Sequence, residues 1–333
     1  MSNESPNVNN GEDEITKSNP KPHNSPIINF DDPVIKAELI KRRKALREKI
    51  KARKEEASDM DITQEMSPSE IEKIKAAAIE AQRIKEEQDR LLGPSFEAPE
   101  KKSFSFAEAI LATDKGPRAE NQDGVFVSEN GNFVVADGMG GMRNGRLATL
   151  KLLEVFKQGL DTEKTFEDLQ IASFWKMMQE NIGDGGACYL AGRFTEKDGK
   201  RFLNIAFAGD VILVVADKET GENKFVIDLG DDRLDKFTVL NSVQGSSPGV
   251  THTKEIEVTP GDRIIVASDG LGDNLGHDLE TDLDSSMRNF TKSIAGMSLD
   301  DAQRELYSSA LEVMKEEGRG KKDNITILII DIN

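Results

Sequence analysis

The chain has 333 residues and a formal net charge of -17, with 44 Lys and Arg against 61 Asp and Glu. A charge of that sign argues against a nucleic-acid binder, because the phosphate backbone would be repelled. The single cysteine, Cys188, excludes an intrachain disulfide, and no apolar run approaches the ~20 residues that span a bilayer. We therefore expect a cytoplasmic protein that binds no nucleic acid and has no transmembrane segment.

The N-terminal part of the sequence predicts a disordered tail followed by a helical arm. Residues 1–30 are rich in Asn, Ser, Pro and Glu, and such a segment cannot bury enough apolar surface to fold. Two helices are predicted within residues 31–93. The first starts at Asp32-Pro33, and the second starts at the capping box Ser67-Pro68-Ser69-Glu70 and ends at Gly93-Pro94.

The sequence leaves several roles open for this arm. Apolar residues recur on one face of each helix, so the arm could form a hairpin or a short coiled coil, or bind a partner or a second copy of itself. The basic first helix could lie on a membrane surface or on an acidic partner, and a solvated, charged arm is the simplest alternative. Residues 94–103 are predicted to be a linker.

From residue 104 to residue 333 the pattern changes to short apolar runs and amphipathic helices. Helices are predicted over residues 147–160, 166–181, 278–290 and 299–317. Strands are predicted over residues 126–127, 133–136, 187–194, 202–208, 211–216, 224–227, 255–258, 263–267 and 325–332. Strands clustered between pairs of helices favour an α+β domain, a central β-sandwich of two antiparallel sheets flanked by helices.

Aspartates lie at the ends of many of these apolar runs: Asp123, Asp137, Asp210, Asp269, Asp273 and Asp323. Any one of them alone is typical of a turn. Strands of one sheet can bring their ends to a common edge, however, where like carboxylates repel unless a cation neutralises them. A set of oxygen ligands favours Mg²⁺ or Mn²⁺ over Zn²⁺. Two such ions about 3.5–4 Å apart can clamp a phosphate and activate a water molecule, and Arg118 is a candidate for holding the phosphate's remaining oxygens.

The motifs around these aspartates occur in a recognisable order. They are Thr113–Arg118 with Asn121-Gln122-Asp123, Asp137-Gly138-Met139-Gly140-Gly141, Gly209-Asp210, Ser268-Asp269-Gly270-Leu271 with Asp273, and Asp323-Asn324. In this order they resemble the metal-dependent protein phosphatases (the PPM or protein phosphatase 2C family), in its bacterial branch. The resemblance covers residues 104–333. It implies a PPM-type phosphatase domain that hydrolyses phosphoserine and phosphothreonine with Mg²⁺ or Mn²⁺, bound as two ions or as three.

The resemblance also implies roles for the residues that would hold the central ions. Asp137 would bridge two metals, and the carbonyl oxygen of Gly138 would be a further ligand. Asp269 and Asp323 would complete the shell of the first metal. Asp123 matches an acid in the layer around the metals.

Two further sets of positions match the family. Asp210 and Asp273, together with Asp269, match the residues that hold a third, looser ion. Arg118 matches the phosphate-binding arginine. The predicted catalytic residues are therefore Arg118, Asp137 and Asp269.

Some positions depart from the family pattern. Val211-Ile212 follow Asp210 where the family often has Ser-Arg, and Met139 and Met142 stand where relatives carry a histidine. Two functions compete. The chain is either an active phosphatase that acts on phosphoproteins and opposes a Ser/Thr kinase, or a degenerate phosphatase-fold scaffold that acts through its arm. The complete set of aspartates favours the phosphatase, and the acidic domain opposes a nuclease or phosphodiesterase.

Overall fold

The computed structural model describes residues 68–139, 144–227, 243–244, 249–275, 290–316 and 320–333. The predicted tail over 1–30 and the predicted first helix of the arm lie outside these residues, as does nearly all of the predicted helix over 278–290. Within the described part, Ile74–Asn333 belong to one compact unit. None of the described helices is long and apolar enough to cross a membrane.

The described strands form two antiparallel sheets. The first sheet contains β1 (Glu100–Ser103), β2 (Ala107–Asp114), β7 (Ile212–Asp217), β8 (Asn223–Val226), β11 (Asp262–Ala267) and β12 (Ile325–Ile332). Its strand order is β1-β2-β12-β11-β7-β8. The second sheet contains β3 (Gly124–Val127), β4 (Phe133–Gly138), β5 (Gly186–Lys197), β6 (Lys200–Ala208) and β10 (His252–Val258). Its order is β10-β6-β5-β4-β3, and β9 (Val243–Gln244) pairs with β5.

The two sheets pack face to face. Alternate residues of β12 show how the layers are built: Leu328 and Ile330 belong to the core between the sheets, whereas Ile327 and Ile329 face a helix on the outside. All eight residues of β12 are buried, so the continuous apolar run in the sequence reflects burial on both faces. The predicted α+β sandwich of two antiparallel sheets is confirmed.

Helices cover the outer faces of both sheets. In chain order the described helices are α1 (Pro68–Leu92), α2 (Gly145–Gly159), α3 (Phe166–Gln179), α4 (Asp269–Leu275) and α5 (Leu299–Lys315). Helices α2 and α3 share an apolar cluster with β4 and β5, and α5 shares one with β11 and β12. The start of α3 is fixed by a capping box between Thr165 and Asp168.

Three features differ from the sequence predictions. Residues 100–103, assigned to the linker, form β1 and pair with Glu108–Leu111 of β2, so the sheet begins four residues before the predicted domain start. The strand β2 was not predicted, because three alanines and a glutamate weaken its β signal. Helix α4 was not predicted, because its seven residues include two glycines.

The end of the arm is part of the domain's packing. The side chain of Leu92 is completely buried in the cluster that contains Leu153 and Phe156 of α2. Two side chains of α2 also reach α1: Lys157 Nζ donates to Leu91 O at 2.8 Å, and Arg146 Nη2 donates to Asp89 Oδ1 at 2.8 Å. The last turns of α1 therefore belong to the folded domain.

A buried ion pair ties β11 to β12 at the end remote from Asp269. Arg263 and Asp331 face each other in register, and their side chains are 2% and 5% exposed. Arg263 donates to both carboxylate oxygens of Asp331, at 2.7 and 2.9 Å, and to the carbonyls of Ile294 and Met297 at 3.1 and 2.7 Å. Lys218 Nζ lies 3.0 Å from Asp331. The pair thus joins two strands to the segment that leads into α5.

Candidate metal centre

Antiparallel pairing brings four of the predicted aspartates to one end of the sandwich. In the second sheet, Asp123 precedes β3 and Asp137 lies near the end of β4, and the pairing of Gly124 with Ala136 places them side by side. In the first sheet, Asp269 follows β11 and Asp323 precedes β12, its antiparallel neighbour. Thr326 Oγ1 donates to Asp123 Oδ2 at 3.1 Å and so connects the two sheets.

The remaining two aspartates lie at the same end. Asp210 follows β6, and its charge contributes to the raised pKa of Asp137. Asp273 lies one turn after Asp269 on α4, so both carboxylates lie on one face of that helix. The structure therefore places all six predicted aspartates at the same end of the sandwich.

Burial and mutual repulsion dominate the electrostatics of this cluster. Burial, and next the charges of Asp123, Asp269 and Asp210, hold the pKa of Asp137 well above its usual range. Burial also raises the pKa of Asp123 to about 7, with further increases from Asp269 and Asp323. A nearby cation would reverse both effects, because it favours the charged carboxylate.

Gly138 occupies a position where a side chain has no room. A Cβ there would lie 2.6 Å from the carbonyl oxygen of Gln122 and 2.8 Å from that of Gly145. The backbone of the loop before β3 thus packs directly against the end of β4, and the Gly138 amide donates to Gln122 O at 3.2 Å. This contact keeps the carboxylates of Asp123 and Asp137 in the same small region.

Two cations lie on the outer side of the cluster. Lys321 Nζ contacts Asp269 Oδ2 at 2.5 Å, Asp273 Oδ2 at 2.7 Å and Asp323 Oδ2 at 3.4 Å. Arg118 Nη2 donates to Asp323 Oδ2 at 2.8 Å, and Arg118 Nε donates to the carbonyl of Lys322 at 2.6 Å. Arg118, predicted to bind phosphate, is thus paired with a predicted metal ligand.

The cluster fits a hard divalent cation in its chemistry. Its donors are carboxylate and carbonyl oxygens, and its charges repel one another, as a site for Mg²⁺ or Mn²⁺ requires. Within the described residues, no three His, Cys, Asp or Glu side chains converge on one point as ligands of a metal would. Three of the six carboxylates, those of Asp269, Asp273 and Asp323, instead form ion pairs with Lys321 or Arg118.

Other residues of the site were not assigned a role from the sequence. Asn324 connects three segments: its Oδ1 accepts from the amide of Gln122 at 3.0 Å, and its Nδ2 donates to the carbonyls of Lys115 and Glu120. Lys321 was also missed, because a lysine pair in a loop is usually a solvated feature. Its position two residues before Asp323 was the available signal.

Arg146 links the site to α1. Its side chain is 8% exposed, and its Nη1 donates to the carbonyl of Asn121 at 2.7 Å while its Nη2 bonds Asp89. Asn121 Oδ1 accepts in turn from the amide of Asp123 at 3.2 Å. The loop that carries Asp123 is thus held by a buried guanidinium from α2.

The raised carboxylate pKa values predict an unusual pH dependence for the metal-free protein. Folded Asp123 keeps its proton up to about pH 7, whereas the unfolded chain releases it near the ordinary value of 3.8. The folded state then binds more protons, so stability should fall as pH rises from about 4 to about 7, by up to about 1.4 kcal/mol per pH unit from this group. Thermal unfolding in the presence of a chelator, between pH 4 and pH 8, measures this.

The variant Asp123→Asn is the matched control for that prediction. It removes the titrating group and keeps the shape, so its unfolding temperature should fall less over the same pH interval. A wild-type protein whose unfolding temperature falls no more than that of the variant between pH 5 and pH 7 would contradict the prediction.

Comparison with known proteins gives a family and a fold. The family profile of Stage II sporulation protein E (SpoIIE) matches residues 129–333. The Mycobacterium tuberculosis serine/threonine phosphatase PstP/Ppp superposes with a TM-score of 0.53 at 19% identity, over 68% of this chain and 99% of that one. The catalytic domain of PstP in complex with 2 manganese ions gives 0.51 at 18% identity, over 68% and 98%.

A third structure agrees with these. PppA, described as a key regulatory component of T6SS in Pseudomonas aeruginosa, gives a TM-score of 0.50 at 21% identity, over 70% of this chain and 100% of that one. No curated protein matches the sequence significantly. The structures establish a shared fold, and the family match covers more than half of the chain, which confirms the predicted family. The chain therefore belongs to the Stage II sporulation protein E (SpoIIE) family and carries a PPM-type phosphatase domain.

Proposed function

We propose that this chain is a protein serine/threonine phosphatase that depends on Mg²⁺ or Mn²⁺ and hydrolyses phosphoserine and phosphothreonine. The observation that carries the proposal is the cluster of six aspartates at one end of the sandwich, in which Asp137 is surrounded by the charges of Asp123, Asp269 and Asp210. Such repulsion is tolerated where a cation is to be bound. The similar PstP structure with 2 manganese ions supports the same chemistry.

The proposed roles follow the positions of the side chains. Asp137, the carbonyl of Gly138, Asp269 and Asp323 would hold the central ions, and Asp210 and Asp273 lie further out. Bound divalent ions would supply an activated water molecule and neutralise the phosphate. With metal ions bound, the ions rather than Arg118 would supply the counter-charge of Asp323. The Arg118 guanidinium would then be available to bind the substrate phosphate in bidentate geometry.

Hydrolysis assays test this proposal directly. We expect the full chain to hydrolyse para-nitrophenyl phosphate and a phosphothreonine peptide with Mn²⁺, and to lose both activities with a chelator. A phosphotyrosine peptide and a phosphodiester serve as specificity controls and should react more slowly. Absence of activity on every substrate, at Mn²⁺ concentrations where binding is measured, would contradict the proposal.

Arg118→Ala should affect substrate more than metal. If Arg118 binds the substrate phosphate, KM should rise about tenfold or more, which corresponds to ~1.4 kcal/mol, and kcat should fall as transition-state charge goes unmatched. Mn²⁺ affinity, measured by calorimetric titration, should be unchanged or higher, because Asp323 loses a competing cation. A large loss of Mn²⁺ binding would assign Arg118 to the structure of the site instead.

A second candidate function is a scaffold on a degenerate phosphatase fold. The observation in its favour is that Arg118 and Lys321 already form ion pairs with Asp269, Asp273 and Asp323. A scaffold of this kind would bind a partner with equal affinity in the presence of Mn²⁺ or of a chelator, and it would show no measurable hydrolysis. The complete set of acids favours the enzyme.

The proposal includes partners and location. Substrates would be phosphoproteins made by a Ser/Thr kinase, and the chain would act in a reducing compartment such as the cytoplasm, where its only cysteine stays reduced. Helix α1 offers a surface for association. Ile74, Ile84 and Leu91 are 56%, 47% and 50% exposed. With Ala77 and Ala81 they fit the 3–4 spacing of a coiled coil, except that the polar Gln88 occupies the position between Ile84 and Leu91.

Two truncations separate the arm from the catalytic domain. Removing residues 1–67 should leave a folded, Mn²⁺-dependent enzyme with nearly unchanged kcat/KM on a small substrate. Removing residues 1–95 should destabilise the domain by about 3 kcal/mol or more, because buried Leu92 is lost and Arg146 loses Asp89. Urea unfolding of both proteins measures the difference, and equal stability would show that α1 contributes little to the domain.

A further inference from the structure

Lys321 is distinguished by the number of carboxylates that it contacts. Its ammonium lies within 3.4 Å of Asp269, Asp273 and Asp323, although its side chain is 46% exposed. A lysine side chain is protonated at neutral pH, so a positive charge lies among these three acids. A single exposed ion pair contributes little to stability, but Lys321 contacts two carboxylates on the same face of α4 and offsets part of their combined charge.

The position of this charge divides the cluster into an outer and an inner part. The shortest contacts of Lys321 are with Asp269 Oδ2 and Asp273 Oδ2, which together we call the outer pair. Asp123 and Asp137 are here called the inner carboxylates. Among the described residues, no ion pair within 4.0 Å joins Lys321 to either of them. The inner carboxylates therefore have no ammonium in contact with them, while the two carboxylates of the outer pair share one positive charge.

We propose that the ammonium of Lys321 fills the cation position at the outer pair, so that divalent ions bind only at the inner carboxylates. The inference rests on the proposed metal-dependent function. A tethered ammonium is present at every Mn²⁺ concentration and needs no free ion, so it competes well with a loosely held, hydrated cation. Asp269 remains available to the inner ions through Oδ1, because Lys321 engages Oδ2.

Counting bound ions tests this inference without using activity. Mn²⁺ binding to the full chain is measured by equilibrium dialysis and by the electron paramagnetic resonance signal of free Mn²⁺, for wild type, Lys321→Met, Lys321→Arg and Lys322→Met. Lys321→Met should bind one more Mn²⁺ per chain than wild type. Lys321→Arg keeps the positive charge and should match wild type. Lys322→Met is the matched control. Lys322 is an exposed neighbour of Lys321, and this variant should bind the same number of Mn²⁺ ions as wild type.

Asp273→Asn supplies an independent count. If Lys321 fills the outer position, this variant should bind as many ions as wild type, because no ion is lost with the carboxylate. A loss of one ion in Asp273→Asn would overturn the inference, since it would place a metal at the outer pair in the wild-type chain. The count for Asp273→Asn remains informative even if Lys321→Met does not fold. Circular dichroism shows whether each variant is folded.

The remaining outcomes are equally distinct. An unchanged count in folded Lys321→Met would overturn the inference and leave the proposed function intact. Tighter binding of the same number of ions would also overturn it, because Lys321 would then compete with the inner ions. A wild-type chain that binds no Mn²⁺ would overturn both the inference and the metal-dependent function.

Discussion

Asp137→Ala and Asp269→Ala are each expected to reduce Mn²⁺-dependent hydrolysis by well over tenfold, or more than ~1.4 kcal/mol of transition-state stabilisation. Both residues lie at strand ends at the same end of the sandwich. The charge of Asp269 raises the pKa of Asp123 and of Asp137, each already raised by burial. Removing either would eliminate a proposed ligand of the central ions and the water activation that they supply. Steady-state assays at saturating Mn²⁺ measure the loss, and retention of more than about a tenth of wild-type activity would contradict the assignment.

The stability of these variants distinguishes loss of a ligand from misfolding. Without metal, Asp137→Ala should unfold at a higher temperature than wild type, because one of several mutually repelling carboxylates is gone. Added Mn²⁺ should stabilise the wild type far more than the variant. Asp300→Ala is a suitable control. Asp300 is an exposed acid of α5 that pairs with Lys101 of β1, so its loss should leave activity unchanged.

Arg263→Leu is expected to destabilise the domain by about 3–5 kcal/mol, because it leaves Asp331 buried without its main counter-charge. It also removes the donors to the carbonyls of Ile294 and Met297. Lys218 would compensate only in part, since it is 34% exposed and contacts one oxygen. Urea unfolding measures the loss.

A double variant isolates the cost of the unpaired charge. Arg263→Leu with Asp331→Leu should recover much of the lost stability, because a buried ion pair can be replaced by apolar packing at little net cost. Arg304→Ala, which breaks an exposed pair with Asp301, should change stability very little. A single Arg263→Leu variant as stable as Arg304→Ala would show that the buried pair contributes nothing.

The sequence was most informative where an aspartate interrupts an apolar run. Asp137 after Phe133–Ala136 alone is typical of a turn at a strand end. Six aspartates in such positions predict a chemical site, because like carboxylates at a common edge repel one another unless a cation is bound. The pairing partners of the strands were not predictable, since the same apolar run suits several neighbours. The ion pairs of Lys321 with Asp269 and Asp273 were also not predictable, because these residues lie 52 and 48 positions before it in the sequence.

Local signals also failed where the environment decides the structure. The strand β1 reads Glu-Lys-Lys-Ser, and only its pairing with β2 at the edge of the sheet makes it a strand. Leu92 fell within the predicted second helix of the arm, but the sequence did not indicate that it packs against α2. Both errors concern contacts between distant segments, which periodicity does not report.

The strand order of the first sheet has a consequence for synthesis on the ribosome. β2 pairs with β12 over its whole length, although the two strands are separated by more than 200 residues. Closing so large a loop is slow and gains nothing until the contacts form. During translation, β2 must therefore wait for residues 325–332 to emerge. Asp323, immediately before β12, joins the other acids only at that point, so the nascent chain is expected to acquire its metal affinity in a single late step.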